Sequence, residues 1–389
     1  MDVVEQRART IRIDGNKLTP IIEGPEILAA LMELIDGAKR SLRLLYYIYT
    51  ADRTGALVKD ALIRAIDRGV EVSLLIDGFG SGRTPESYFR ELQQRGARFC
   101  RFNPSYGRRY LLRNHQKLAL ADGETNASRI LIGGFNIENG YFARIDETGW
   151  RDLGLLVEGP AAKRVVPYYD ALMSWSLSSG SKLKTLRSVV RQYSEHEGPL
   201  QWLYGGPMQL KSPWGLATLH DLAAASDLAM MVAYFAPMGG ILDRIGAVAR
   251  RGRARVIIPA KSDNPPTVDA ARSTYSRLLK QRVQVFEYQP TKLHSKMLVM
   301  DDVVHIGSSN FDLRSLYLNM EMMLRVDDPE FAQMMRHYFE HELCNSLEIT
   351  AAVYKKRATL LQRLKWRISW FLVATLDYTV TRRLALRVP

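Results

Sequence analysis

Two stretches of this chain carry the same pattern, and the repetition constrains the fold more than any other feature. In one, His294 and Lys296 stand two apart. The apolar run Met297, Leu298, Val299 and Met300 follows, then Asp301 and the turn Gly307, Ser308, Ser309, Asn310. In the other, His115 and Lys117 lead into Leu118, Ala119, Leu120 and Ala121, then Asp122 and Gly133, Gly134, Phe135, Asn136. Residues two apart on a strand point to the same face, so each copy sets an imidazole beside a fixed cation, and the apolar run reads as the buried continuation of that strand. A single copy is within the reach of chance; a matched pair is not. The two copies together are the expected active site.

The repetition extends beyond the motifs. In the first half, Pro25 opens an amphipathic helix to about residue 37, after a short polar arm. A strand at 41–49, a helix at 54–68, a strand at 70–76, a helix at 85–95 and a strand at 98–102 then lead to His115, the alternation of a βα sheet domain. The second half repeats it with strand 227–235, helix 239–251, strand 254–258, helix 267–280 and strand 283–286, which leads to His294. Residues 152–160 align without gaps on 321–329, and in both halves a proline then opens a helix. Internal duplication accounts for this economically. The expected class is α/β, with two tandem sheet domains related by a pseudo-twofold and the active site at their interface. The expected bounds are 1–176 for the first domain, 177–199 for a linker, 200–350 for the second domain and 351–389 for a basic amphipathic tail.

Composition narrows the partners. The chain has 389 residues, 47% of them hydrophobic, enough for two domains with real cores. A formal net charge of +13 favours a polyanionic partner, either nucleic acid or an anionic membrane surface. Cys100 and Cys344 are the only cysteines, which suits a reducing compartment. The amino terminus lacks the apolar core of a signal peptide, and no stretch reaches the roughly 18 apolar residues of a membrane span. The expected location is peripheral, on the cytoplasmic side of a membrane. In the tail, Lys355, Lys356, Arg357, Arg363, Lys365 and Arg367 interleave with Leu360, Leu361, Leu364, Trp366, Ile368, Trp370, Phe371 and Leu372, and Arg382, Arg383 and Arg387 follow. Two readings stand open for it: an interfacial membrane helix, or a helix packed on the domain with a solvated basic face.

The paired His-x-Lys-x4-Asp motifs, each closed by an Asn, resemble the phospholipase D superfamily. Chemistry supports the resemblance, because cleaving a phosphodiester without a metal takes a nucleophile, an acid and fixed positive charge, and two histidines and two lysines supply that set. The resemblance implies a covalent phosphohistidine: one histidine attacks phosphorus while the other protonates the leaving oxygen and then activates the incoming alcohol or water. We take His115 as nucleophile and His294 as acid and base, although the sequence is nearly symmetric here. Lys117, Lys296, Asn136, Asn310 and Ser308 would hold the phosphate oxygens. Asp152 and Glu321, in equivalent places of the two repeats, are the expected carboxylates behind the histidines, each orienting the histidine of its own half. Asp122 and Asp301 are expected to be structural, at a turn. The first copy departs from the family pattern in having Gly134 where a Ser usually stands. No cofactor and no metal are expected. His337, Glu340 and His341 fit an H-x-x-E-H spacing, but no third ligand is placed and the segment equally fits an amphipathic helix. His196, His220 and His305 read as structural or solvated, and the glycine-rich stretch 78–82 as a turn.

Several flanking stretches, among them 68–78, Trp150 to Asp152, 234–237 and 310–315, are similar to the bacterial cardiolipin synthases of the phospholipase D type. That resemblance implies a phosphatidyltransferase that makes cardiolipin from phosphatidylglycerol, a phospholipid met in an anionic membrane surface. The alternatives are a phosphodiesterase or nuclease of the same fold, with nucleic acid the lesser expectation, and a weakly active lipid or nucleic acid binding protein. The complete His, Lys and Asn set argues against the last. Oligomeric state is left open.

Overall fold

The structure, a computed structural model, describes residues 9–103, 112–178, 180–208, 211–237 and 239–375. The first sheet has eight strands: β1 (Ile11–Ile13), β2 (Asn16–Ile21), β3 (Ser41–Tyr46), β4 (Glu71–Asp77), β5 (Arg98–Phe102), β6 (Leu118–Ala121), β7 (Arg129–Gly133) and β8 (Gly154–Glu158). Their order is β1-β2-β8-β7-β6-β3-β4-β5, with β3, β4 and β5 parallel and the other pairs antiparallel.

The second half uses β9 (Leu200–Gly205), β10 (Asp227–Met231), a short β11 (Phe235–Ala236), β12 (Arg253–Pro259), β13 (Gln284–Tyr288), β14 (Met297–Met300), β15 (Val303–Gly307), a short β16 (Phe311–Asp312), β17 (Glu321–Asp327) and β18 (Ser346–Glu348). Its main sheet runs β18-β13-β12-β10-β14-β15-β17-β9, while β11 and β16 form a separate parallel pair. Seven strands correspond one to one between the sheets, β2 with β9 at one end and β5 with β13 at the other. β1 extends the first sheet at one edge and β18 the second at the opposite edge.

The strands that follow the two motifs, β6 and β14, are buried at every position, because apolar material covers both faces of each sheet. Period-two alternation divides their side chains: Leu118 and Leu120, like Met297 and Val299, face a core shared between the two halves. Ala119 and Ala121 face the helices of the first half, and Leu298 and Met300 those of the second. The shared core also takes in the helices Val166–Leu177 and Pro329–Cys344, each of which follows the last long strand of its repeat. The sheets are thus held face to face around one continuous hydrophobic layer, which fixes how the two motifs meet.

The structure differs from the sequence reading in several elements. The polar arm before Pro25 contains the β1–β2 hairpin, whose turn at Asp14 and Gly15 has φ of 46° and 74°. The strand read at 41–49 ends at Tyr46, and that read at 227–235 ends at Met231. Both runs are apolar past the point where ladder pairing stops. The helix read at 85–95 divides into a 3-10 turn, Glu86–Phe89, and a short α-helix, Arg90–Gln94. Within 177–199 a helix, Leu183–Tyr193, buries Leu186 and Val190 in the shared core. The tail forms two helices, Ala351–Arg357 and Leu360–Thr375; Arg382, Arg383 and Arg387 lie outside the described residues. Among the described residues, no helix is long and apolar enough to cross a membrane.

Candidate active site

The motif segments enter the site by pairing with each other's repeat. His115 N donates to Met320 O at 2.9 Å and Met320 N to Arg113 O at 2.8 Å. His294 N donates to Arg151 O at 2.7 Å and Arg151 N to Lys292 O at 2.8 Å. These two isolated parallel bridges, Asn114 with Met320 and Arg151 with Leu293, are images of one another under the pseudo-twofold. Each sets a histidine level with the acidic residue of the opposite half.

The side chains follow. His115 Nδ1 lies 3.0 Å from Glu321 Oε2, and His294 Nδ1 lies 2.8 Å from Asp152 Oδ2. This corrects the sequence expectation that each carboxylate serves its own half: the pairing is crossed. Register within a repeat places Asp152 and Glu321 in equivalent positions, but it carries no information about which histidine faces them. With Nδ1 of His115 held by Glu321, Nε2 is the nitrogen that ring offers to substrate.

Both histidines line a cavity of about 650 Å³, together with Asn136 and Asn310. Aromatic rings enclose them. Tyr47 meets His115 edge-on at 5.0 Å between centroids, and Tyr141 and Trp150 meet His294 at 5.1 and 5.5 Å. Trp150 belongs to a stretch quoted above for its family likeness; Tyr47 and Tyr141 gave no signal, because they approach only through the fold. Asn136 Oδ1 accepts from Ile48 N and its Nδ2 donates to Tyr141 Oη. One amide hydrogen of Asn136 is left over. Among the described residues, no hydrogen-bond donor reaches the buried Asn310 Oδ1.

Lys117 and Lys296 do not line this cavity. Each is 1% exposed, and each amine donates to the carbonyl of its own motif histidine. Lys296 Nζ also lies 2.9 and 3.1 Å from the two ring nitrogens of His294. Ser308, expected on a phosphate oxygen, instead donates to Glu321 Oε2 at 2.6 Å. The equivalent position in the first repeat, Gly134, has no room for a hydroxyl: a Cβ there would come within 2.5 Å of Asp152 Oδ1 and 2.7 Å of His294 O. The glycine is what lets Asp152 approach. Asp122 and Asp301 lie away from the chemistry, with φ of 52° and 48°. Asp122 accepts from the backbone of Lys39, Arg40 and Ser41, and Asp301 from that of Ser226 and Asp227, so both clamp the start of a neighbouring strand.

Burial dominates the electrostatics. It pushes the His115 imidazole down to about 4, opposed by Glu321 and reinforced by Lys117 and Lys296. His294 is pushed well below the ordinary histidine value by burial and then by the two lysines. Burial likewise lowers Lys296 to about 8 and Lys117 well below the usual lysine range. The two carboxylates differ. Burial raises Asp152 to about 7 against the pull of Lys296 and the Leu153 amide. Burial also works to raise Glu321, but His115, Lys117 and the Ser308 hydroxyl outweigh it and hold the carboxyl below its ordinary value. Both imidazoles are therefore neutral at rest, and an anionic phosphodiester entering the cavity opposes the lysines and draws protons toward the rings.

Arg151 ties the halves together beside this site. Its guanidinium donates to Glu342 from Nε at 2.9 Å and Nη2 at 2.6 Å, and to Glu23 from Nη1 at 2.9 Å. Elsewhere, His305 is buried against Asp221 at 2.7 Å, and His220 is exposed. Glu340 of the H-x-x-E-H stretch pairs with Arg255. Among the described residues, no three His, Cys, Asp or Glu side chains converge as a metal site.

Comparison with known proteins adds to this geometry. The profile of a family described as "Cardiolipin synthase, PLD-like domain" matches residues 31–156 and again 219–343. A cardiolipin synthase of Listeria innocua is 30% identical over 363 residues, covering 90% of this chain and 73% of its own length. Cardiolipin synthase 1 of Bacillus anthracis is 29% identical over 355 residues, covering 87% and 68%. Among solved structures, the phosphatidylserine synthase of Haemophilus influenzae superposes with a TM-score of 0.70 over 96% of both chains. At 14% identity that likeness shows the fold alone.

Proposed function

The chain belongs to the cardiolipin synthase family of phospholipase D-like proteins, and from that premise we propose that it is a phosphatidyltransferase making cardiolipin from phosphatidylglycerol through a phosphohistidine. The observation that carries the reading is the crossed pair of carboxylate-oriented histidines lining one cavity. Neither half of the duplicated chain supplies a complete pair.

In this reading the Nε2 lone pair of His115 attacks phosphorus. The bond from phosphorus to the glycerol headgroup oxygen breaks, and that oxygen takes a proton from His294, which the anionic substrate has brought to the imidazolium form on binding. Glycerol leaves. A hydroxyl of a second phosphatidylglycerol then gives its proton to His294 and attacks phosphorus, the phosphorus–nitrogen bond breaks, and His115 is restored. Three features support this assignment of roles. Glu321, kept ionised by Ser308 and Lys117, stabilises positive charge on His115 as its bond to phosphorus forms. Lys117 and Lys296, buried on the carbonyls of their own histidines, supply positive potential in a dry setting where charge acts strongly. Asn136 retains an amide hydrogen, and the Asn310 side chain lines the same cavity, so both are placed to donate to the non-bridging oxygens.

The same reading takes 1–176 and 200–350 as the two catalytic domains, 177–199 as the connection between them and 351–389 as the tail. It places the enzyme on the cytoplasmic side of an anionic membrane, supported by the net charge of +13 and the sparse cysteines.

The test is incubation of the purified chain with phosphatidylglycerol vesicles in the presence of a chelator, with products identified by mass spectrometry. Cardiolipin and free glycerol are expected, and His115→Ala and His294→Ala should each abolish both. Cleavage of single-stranded DNA with no lipid product would overturn the reading.

A further inference from the structure

The C-terminal helix Leu360–Thr375 has two apolar faces. Trp366 and Ser369 are buried, Trp370 and Val373 half-buried, and this face packs on the helix Pro265–Lys280. Lys365 fastens it with an ion pair to Asp269 at 3.0 Å. On the opposite side, Leu360, Leu361, Leu364, Ile368 and Phe371 form a stripe at helical spacing with 51% to 84% of each residue exposed. Exposed Arg363 and Arg367 border the stripe on one side and Lys365 on the other. Val373, two residues beyond Phe371, lines the cavity that holds His115 and His294.

We propose that this outward stripe docks on an anionic phospholipid bilayer and sets the mouth of the active-site cavity against the membrane surface. The proposal rests on the phosphatidyltransferase reading for its purpose, but the surface is argued from its own composition. Five large apolar side chains in one contiguous row are costly to leave in water. At 16 residues, three of them basic and exposed, the helix suits lying along an interface rather than crossing it. Arg363 and Arg367 on one flank match an anionic surface, where each contributes attraction, while Lys365 on the other flank is held by Asp269. A second copy of the chain fits less well, since two such stripes face to face would bring Arg363 and Arg367 of both copies together and seat the partner over the Val373 end of the cavity. The packed inner face makes the helix a rigid platform. Docking it therefore orients the whole cavity, and a lipid headgroup reaches the histidines without leaving the bilayer surface.

The experiment uses the full chain and the triple variant Leu364→Ser, Ile368→Ser, Phe371→Ser, none of which lines the cavity. Flotation with phosphatidylglycerol vesicles should fall about tenfold or more in the variant, and turnover of vesicle lipid should fall with it. Turnover of monomeric dihexanoyl phosphatidylglycerol should be unchanged, which also shows that the variant is folded. Arg363→Gln with Arg367→Gln should reduce the preference for anionic over phosphatidylcholine vesicles. Unchanged flotation of the triple variant would overturn the proposal while monomeric turnover leaves the catalytic reading standing. If the wild type turns over neither lipid form, the catalytic reading fails, and flotation alone decides the surface. A wild-type dimer in sedimentation velocity that the triple variant converts to monomer would assign the stripe to a second copy and overturn the proposal.

Discussion

His115 and Glu321 are 206 positions apart in the chain and 3.0 Å apart at Nδ1 and Oε2. Their mirror pair, His294 and Asp152, repeats the arrangement at 2.8 Å. The duplicated halves thus exchange carboxylates, and orientation of each imidazole depends on the interface between them. Glu321→Gln should disturb the ring of His115 and leave that of His294 unchanged. Histidine ring resonances in nitrogen-edited NMR report this directly, and kcat should fall by about a hundredfold or more. A shift confined to His294 would contradict the crossed pairing.

Gly134→Ser restores the residue that the family pattern has at that place, yet it should lower activity. The new Cβ meets Asp152 Oδ1 at 2.5 Å and the backbone oxygen of His294 at 2.7 Å, and the backbone contact has no flexible side chain to yield. Asp152 must move off His294 Nδ1. The expected result is a loss in kcat with little change in KM, and a gain in kcat would show that the hydroxyl was the missing part.

The pH dependence follows from the depressed imidazoles. His115 attacks as the neutral ring, and burial with the two lysines pushes its titration down to about 4. The acid limb of kcat/KM on monomeric lipid should therefore lie below the ordinary histidine value. Lys117→Met removes a positive charge, makes proton loss harder and should move the residual activity's acid limb upward. Limbs at an ordinary histidine value in both proteins would refute this.

Asp152 has the opposite sign. Its folded value, raised to about 7 chiefly by burial, exceeds that of the unfolded chain, so its contribution to stability is present at low pH and is lost as pH rises toward 7. The thermal midpoint of the wild type minus that of Asp152→Asn should shift in favour of the wild type as pH falls from about 7 to about 5. A difference independent of pH would show that Asp152 ionises normally.

Arg151 should prove essential to stability as well as to the site. Arg151→Met takes the guanidinium from the fully buried Glu342 and leaves it only His341 Nδ1 at 3.4 Å; breaking such a buried pair typically costs ~3–5 kcal/mol. Chemical denaturation should show a drop of this order. Glu342→Gln in the same background should recover part of it, since the orphaned charge is then gone, and no recovery would place the loss elsewhere.

Much of this molecule was legible from residue order. The apolar runs after Lys117 and Lys296 announced β6 and β14, and the helix Gly239–Arg251 and the strand Arg98–Phe102 fall where periodicity placed them. The β1–β2 hairpin escaped notice, because its alternation is short and carries Lys17 and Pro20 within a segment that reads as polar. The tail showed its basic and apolar residues, but not which of its two apolar faces is left outside. Helical spacing gives the two faces, and only the position of the helix Pro265–Lys280 selects between them.

The sequence by itself determined that the chain is a duplication, that each copy sets a histidine and a lysine two apart just ahead of a buried apolar strand, and that Asp152 and Glu321 occupy equivalent places. Those are properties of spacing, and spacing survives in any linear reading. Tertiary structure alone decided that the carboxylates cross over, that the lysine amines are buried on the carbonyls of their own histidines instead of lining the cavity, and that Ser308 serves Glu321. These contacts join segments up to 206 positions apart. They are set by two parallel bridges and a shared apolar layer between the sheets, and no local periodicity records which distant strand a given side chain will face.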